Sequence, residues 1–374
     1  MPDRRYIDAA RSVAPVVSGE RLALARELRG WTQREVVDRL KQHLDRTITS
    51  PALSQFEKGR SRPSPETLAA LAELYECPPE FFVERPGDVA RPAFFRSLQA
   101  APARQRKLRM ANARLLASFV RVLEDYVVLP DDDIPTLALD PSDLGEVDGV
   151  AAELRNRWGV PAGPVDNVVR LIERRGAVVV RSQQHRADID AFSVRFPERP
   201  VVVLGSDKDL ASRSRFDAAH ELGHLVMHGD VEPGTSAVER HAHKFAAAFL
   251  MPAEHIIDDL PRRVHLPSLM DLKAEWRVSM QALLMRSRDL KVMSPDAYTN
   301  AMKMFSARGW RKREPGDHLL GPVETPVLLD RALDVVQSTQ GLTVAELCDE
   351  GALPVGLVNA LLNRTRDTRP RVEL

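Results

Sequence analysis

Phe216–His228 reads FDAAHELGHLVMH and holds the pattern His220-Glu221-Leu222-Gly223-His224. On a helix, residues four apart lie on one face, one turn from each other. Two imidazoles so placed can share one metal ion, and the glutamate beside the first can reach a water on that metal. Ala218, Ala219, Leu222, Leu225 and Val226 make the helix apolar, as in a core. A buried apolar helix has little reason to carry two histidines and a glutamate unless something pairs them. The bland alternative is a core helix whose histidines are merely hydrogen-bonded.

A catalytic zinc site takes a third protein ligand and leaves a fourth position for water. The candidates lie in VERHAHKFAAAFLMP, Val238–Pro252: Glu239, His241 and His243. Ala242, Phe245, Ala246, Phe249 and Leu250 form one helical face there. At about 100° per residue, Glu239 lies roughly 60° from the centre of that face, and His241 and His243 roughly 100° from it on opposite sides. Glu239 is therefore the best-placed ligand beside His220 and His224, with His241 and His243 as alternatives. His243 is also a candidate for orienting a ligand, and His228 for edging the cleft or capping the helix end.

The chain has 374 residues, enough for two or three domains. Lys+Arg and Asp+Glu are equal at 53 each, so overall charge implies no polyanionic partner. Cys77 and Cys348 are the only cysteines, which excludes a disulfide scaffold and a cysteine-based zinc finger and fits a reducing cytoplasm. The first residues lack a signal-peptide layout, and no run approaches the ~18–20 apolar residues of a membrane span. The expectation is a cytoplasmic protein with no membrane partner.

Residues 1–18 read as a polar arm, and 19–85 as a helical domain. Leu22, Ala25 and Leu28 share a helix face that Gly30 ends; Thr32 and Glu35 form a capping box. After the polar stretch KQHLDRTITS, Ser50 and Pro51 open a short helix that Gly59 closes, and two more helices follow. Thr32-Gln33, the run ALSQFEKG (Ala52–Gly59) and Arg62-Pro63-Ser64 resemble the Cro and phage-repressor helix-turn-helix of the XRE family, over about residues 20–83. The link between its second and third helices is longer than usual. The resemblance implies a double-stranded DNA operator, read by a homodimer with the start of the third helix in the major groove. Ser50, Pro51, Ala52 and Gln55 are then placed to meet bases, and Gln33 a phosphate. Charge agrees: ten basic residues, Lys58 among them, stand against six acidic ones between Glu20 and Arg62. From Pro63 to Glu84 there are five acidic residues and no basic one. The basic side can face phosphates.

Residues 86–140 read as a linker and a long connecting helix. Arg104, Arg106, Lys107, Arg109 and Arg114 suggest a solvated basic face, opposite Leu115, Phe119, Val122 and Leu123. Phe94–Ser97 is a candidate docking peptide. Residues 141–308 form the domain around the opening helix: helices at Asp140–Trp158 and Asn167–Arg175, then strands AVVVRS, Ile189–Phe196 and Pro200–Leu204. The polar break GWRKREPGDH (Gly309–His318) opens a C-terminal helical region, 309–374, that has no catalytic set and reads as a packing or oligomer domain. The fold class is mainly α with a small β-sheet (α+β).

The pieces DAFS (Asp190–Ser193), RFDAAHELGHLVMH (Arg215–His228) and the Glu239–Pro252 run resemble the ImmA/IrrE family of zinc metallopeptidases, closely over about Val165–Pro252. That resemblance implies a compact gluzincin-like domain with a small sheet against the His220–His224 helix. It also implies Zn2+ as cofactor and a protein or peptide substrate. Family members often cleave a repressor with an XRE-type domain, or carry such a domain themselves. His220, His224 and Glu239 would hold the metal, and Glu221 would be the base. Arg213, Arg215 and Tyr298 are unranked candidates for stabilising the oxyanion. Two readings stand: a DNA-binding regulator with a working peptidase that cuts itself or a partner regulator, and a regulator whose metal domain only senses a ligand or binds a partner.

Overall fold

The computed structural model describes residues 4–44, 48–84, 102–137, 139, 144–182, 191–205, 210–228 and 236–364. They are mainly helical with one three-stranded sheet. The chain divides into two compact units, Met1–Leu129 with Leu329–Leu374, and Pro130–Leu328. Phe94–Ser97 and Asp190 lie outside the described residues.

The first unit begins with α1 (Arg4–Val13), α2 (Gly19–Leu28), α3 (Gln33–Leu44), α4 (Ser50–Glu57), α5 (Pro65–Tyr75) and α6 (Ala103–Glu124). The stretch read as a polar arm is α1, which packs on α5. Ala10, Val13 and Ala14 are buried, and the Val17–Val83 bridge ties the following residues to the end of the same domain. Tyr6, Ala10 and Val13 fall on one face among charged residues, so the average hydropathy is low although the helical pattern is clear.

Helix ends follow their capping residues. Thr32 N donates to Glu35 Oε2 at 2.6 Å while Glu35 N donates to Thr32 Oγ1 at 3.2 Å, which is the predicted box. α3 runs on to Leu44, so part of the stretch read as a loop is helix. Thr49, rather than Ser50, caps α4 by accepting from Ala52 N at 3.2 Å. A Cβ on Gly19 would stand 2.5 Å from the Phe56 carbonyl oxygen, so α2 meets the end of α4 at backbone distance.

The basic face of α6 is only partly solvated, with Arg104 and Lys107 exposed. Arg109 and Arg114 are buried. Arg114 pairs with Glu20 at 2.8 Å, Arg104 with Glu35 at 3.2 Å and Lys107 with Glu27 at 3.8 Å. These acidic partners belong to α2 and α3, so α6 is bound to the N-terminal helices through both its apolar and its basic sides.

The second unit holds α7 (Val147–Arg157), α8 (Val168–Arg174), β1 (Val178–Ser182), β2 (Phe192–Arg195), β3 (Pro200–Gly205), α9 (Ala211–Met227), α10 (Ser236–Leu250), α11 (Ala253–Ile256), α12 (Leu266–Trp276), α13 (Met280–Asp289) and α14 (Pro295–Ala307). Strand order is β1-β3-β2, with β1 parallel and β2 antiparallel to β3. Val178, Val179 and Val180 are all buried, as in a strand covered on both faces. α9 lies against β2, β3 and α10, and α7 covers α10.

The polar break is also structured. Glu314 is buried, accepting from Met280 N at 2.7 Å and Gln281 N at 2.9 Å, and pairing with the fully buried Lys273 at 3.2 Å. It satisfies the exposed N–H groups at the start of α13, which places residues 309–328 in the second unit. The chain then returns to the first unit with α15 (Leu328–Gln340), α16 (Val344–Gly351) and α17 (Val355–Leu361); α16 and α17 pack on α6. No helix among the described residues is long and apolar enough to cross a membrane.

Candidate metal centre and DNA-reading face

α9 and α10 bring three side chains together. His220 and His224 lie one turn apart, with their Nε2 atoms 3.1 Å from each other. Glu239, from the first turn of α10, sets Oε2 at 3.3 Å from His220 Nε2 and Oε1 at 3.6 Å from His224 Nε2. Burial works against the charge of Glu239, yet hydrogen bonds from His220 and His224 hold its carboxyl well below the usual carboxylate range. Burial lowers the basicity of His220, but the bond to Glu239 and the charges of Glu221 and Glu239 outweigh it and leave the imidazole above its ordinary value.

The donor set fits a divalent metal. Ligand atoms about 2.1 Å from a common tetrahedral centre lie about 3.4 Å from one another. The two imidazole nitrogens are 3.1 Å apart, each lies 3.3 or 3.6 Å from its nearer Glu239 oxygen, and one ligand atom from each residue lies within 4.8 Å of the other two. His241 and His243 do not join the cluster. His241 is fully buried beside His228, with ring centroids 5.9 Å apart, and His243 packs on Phe216 at 4.7 Å.

Two contacts around the cluster were not predicted. His228 Nδ1 lies 3.2 Å from His224 Nδ1, so the nitrogen of His224 that faces away from Glu239 meets a fully buried imidazole. The second nitrogen of a ligating histidine is commonly held by a carboxylate, a carbonyl or water; here an imidazole takes that place. His228 was legible as a neighbour, being four residues after His224, but its contact was not. Ser193, on β2, donates from Oγ to Glu221 Oε2 at 2.8 Å. Ser193 ends the DAFS stretch that carries part of the family resemblance, but the sequence does not name Glu221 as its partner. Glu221 is 2% exposed. Burial raises its carboxyl, with the charges of His224 and His220 and the Ser193 bond opposing.

The oxyanion candidates are not gathered here. Arg215 is buried against Glu324 and the carbonyls of Val165 and Asp166. Tyr298 lies beneath the Arg288 guanidinium at 4.5 Å, and Arg213 is exposed.

In the first unit, Pro51 and Lys58 are exposed, and Ser50, Ala52 and Gln55 are half-buried along α4. Gln33 is engaged internally: its Nε2 donates to Glu57 Oε2 at 2.7 Å. Glu57 also accepts from Arg26 Nε at 2.5 Å and Nη2 at 2.9 Å, which joins α2, α3 and α4. Arg21 and Arg26 are buried, and Arg29 bonds the Tyr75 carbonyl. The basic excess of this segment is thus partly structural, while Lys58, Arg60 and Arg62 stay exposed.

Residues 172–288 match the family model of the IrrE N-terminal-like domain, a peptidase-type family. Residues 19–81 match that of a helix-turn-helix domain. The chain carries both domains, in that order from the N-terminus. The IrrE-like match spans α9 and α10 and so takes in the whole His220, His224 and Glu239 cluster; the helix-turn-helix match spans α2 to α5. No curated protein matches the chain.

Proposed function

We propose that the protein is a DNA-binding transcriptional regulator with a zinc-dependent endopeptidase domain. It binds a double-stranded operator as a homodimer, acts in the cytoplasm, and hydrolyses a peptide bond in itself or in a partner regulator. The observation that carries this reading is Glu221, a buried carboxylate held by Ser193 beside the three candidate ligands. A site that only binds metal has no need of that base.

His220, His224 and Glu239 would hold zinc. Bound there, zinc supplies a Lewis acid for the scissile carbonyl and lowers the pKa of water. Glu221 takes the proton from the attacking water and passes it to the leaving amine. Its raised basicity suits it to both steps. Ser193 fixes the carboxylate, and His228 fixes the ring of His224. β2 lies at the edge of the three-stranded sheet, where an extended substrate can add its backbone as a further strand. In the helix-turn-helix domain, α4 enters the major groove. Gln55 reads base edges with Ser50, Pro51 and Ala52 beside it, Lys58 meets phosphate, and Gln33 braces α3 against α4.

The test is the purified zinc-loaded protein, incubated alone and with candidate partner regulators and analysed for cleavage products. Cleavage by the wild type and none by Glu221→Gln, with zinc and DNA binding retained, is the expected result. Cleavage by Glu221→Gln refutes the mechanism. The helix-turn-helix match over residues 19–81 in the same chain favours a second reading, a regulator whose metal domain is a non-cleaving sensor or partner-binding module, in which the wild type yields no products either.

A further inference from the structure

The second unit contains a cavity of about 370 Å³ beside the opening turns of α9. Ala211 and Arg215 form part of its wall. Ala211 and Arg215 precede His220 by nine and five residues, so at 1.5 Å per residue the wall lies about 8 to 13 Å along the helix from the metal cluster.

Three guanidinium groups line the cavity, from Arg170, Arg215 and Arg277, against two carboxylates, Asp166 and Glu324. Arg215 is 2% exposed. It is ion-paired with Glu324 Oε1, and Glu324 Oε2 accepts from Val169 N at 3.0 Å. That carboxylate is therefore fully used. Burial, and behind it the charge of Arg277, push Arg215 below its ordinary basicity against the pull of Glu324. The other two arginines are exposed. Arg277 gives one bond, to the Asp166 carbonyl at 2.8 Å. Arg170 has no side-chain partner among the described residues.

The backbone at Arg277 is a separate pointer. It ends α12 in the left-handed region at φ 53°, where glycine is the favoured residue. A side chain there costs of order 1 kcal/mol. The position nevertheless carries an arginine, and since Arg170 and Arg215 are balanced by Asp166 and Glu324, Arg277 gives the lining its net positive charge. Ala211, Leu320 and Val323 add apolar surface to a wall that also carries Asn167 and Thr325.

We propose that this cavity binds a small organic acid, its carboxylate held between Arg170 and Arg277 and its apolar body against Ala211, Leu320 and Val323. Guanidinium groups match carboxylates with paired N–H donors, and one carboxylate of this wall, Glu324, already takes a bond from Arg215 Nη1. The apolar wall favours an organic acid over a bare inorganic anion. The distance along α9 makes the occupant an effector, not a substrate of the metal cluster. The proposal does not depend on the peptidase reading, because its test uses neither zinc nor cleavage.

The experiment is calorimetric titration of the full-length protein with hexanoate, succinate, citrate and benzoate, and with inorganic phosphate, at constant ionic strength set by chloride. At least one organic acid should bind saturably and more tightly than phosphate. Its affinity should fall about tenfold or more in Arg170→Ala and in Arg277→Gly. Arg170 is exposed and unpartnered, and glycine suits the backbone at 277, so both variants should melt close to the wild type. If Arg277→Gly does not fold, Arg170→Ala decides alone. The site assignment is overturned by an absence of saturable binding across the organic acids, by unchanged affinity in the variants, or by phosphate binding at least as tightly.

Discussion

A Cβ on Gly223 would stand 2.9 Å from Cδ1 of Phe245 and 3.1 Å from its Cγ. Gly223 lies between the two histidines of α9, and Phe245 lies six residues after Glu239 on α10. The absence of a side chain at 223 lets the two helices approach until a carboxylate from one meets both imidazoles of the other. Gly223→Ala should force Phe245 or α10 outward, costing about 1–3 kcal/mol by overpacking, and should lower zinc content by shifting Glu239. Gly149→Ala on α7 is the control, since nothing lies within 4 Å of its Cβ. There the gain in helix propensity should raise stability by up to about 1 kcal/mol. Denaturant titration and metal analysis of both variants check this, and equal behaviour would refute the close-approach argument.

Zinc affinity should be lost on acidification at a higher pH than an ordinary histidine site would show. His220 is held above its ordinary value of about 6.5 by Glu239 and Glu221, despite burial. A ligand must give up its proton to bind metal, so affinity falls as pH drops below that raised value. Glu239→Ala should abolish stoichiometric zinc. It also removes the hydrogen bond that does most to raise His220, so burial, opposed only by Glu221 and Asp217, should move the onset of residual loss to lower pH. His241→Ala and His243→Ala should retain zinc. Chelator competition across pH measures all four proteins, and full retention in Glu239→Ala would transfer the ligand role to one of the two histidines.

How much of this could be read in the sequence depends on where each signal resides. α9 and α10 were legible because spacing on a single helix decides which side chains share a face, and the same angular argument singled out Glu239. Capping was legible for the same local reason at Thr32 and Glu35. Partners distant in sequence were not. Arg114 looks like a solvated base until Glu20 is placed beside it at 2.8 Å, and Glu314 sits in a polar run yet is buried on Lys273 and the start of α13. α1 was missed because its charged residues lower the average hydropathy of the stretch and mask the face formed by Tyr6, Ala10 and Val13. Ser193 and the His228 contact needed the tertiary arrangement outright.

Ser193→Ala tests the support of the base. The serine hydroxyl stabilises the charged form of Glu221, which burial already disfavours. Its loss should raise the carboxyl further. The base works only when ionised, so the acid limb of the activity profile should move to higher pH while zinc content stays at the wild-type level. Cleavage rates across pH, with metal analysis alongside, provide the check. An unchanged acid limb would mean that Ser193 does not tune Glu221.

The DNA-reading face can be separated from the frame that holds it. Gln55 has no side-chain partner among the described residues, so Gln55→Ala should leave the melting temperature unchanged. It should weaken binding to a specific operator by about 1–3 kcal/mol while binding to unrelated DNA stays the same. Glu57 is different, because it accepts from Arg26 and from Gln33 and ties three helices together. Glu57→Ala leaves the buried Arg26 guanidinium without its carboxylate, and removing one partner of a buried pair costs about 3–5 kcal/mol. That variant should lose specific and non-specific binding together, along with thermal stability. Lys58→Ala should weaken binding to every sequence and reduce the salt dependence by about one phosphate contact. Titrations on specific and random duplexes at several salt concentrations distinguish the three outcomes. A Gln55→Ala variant that keeps full operator preference would remove α4 from the major groove.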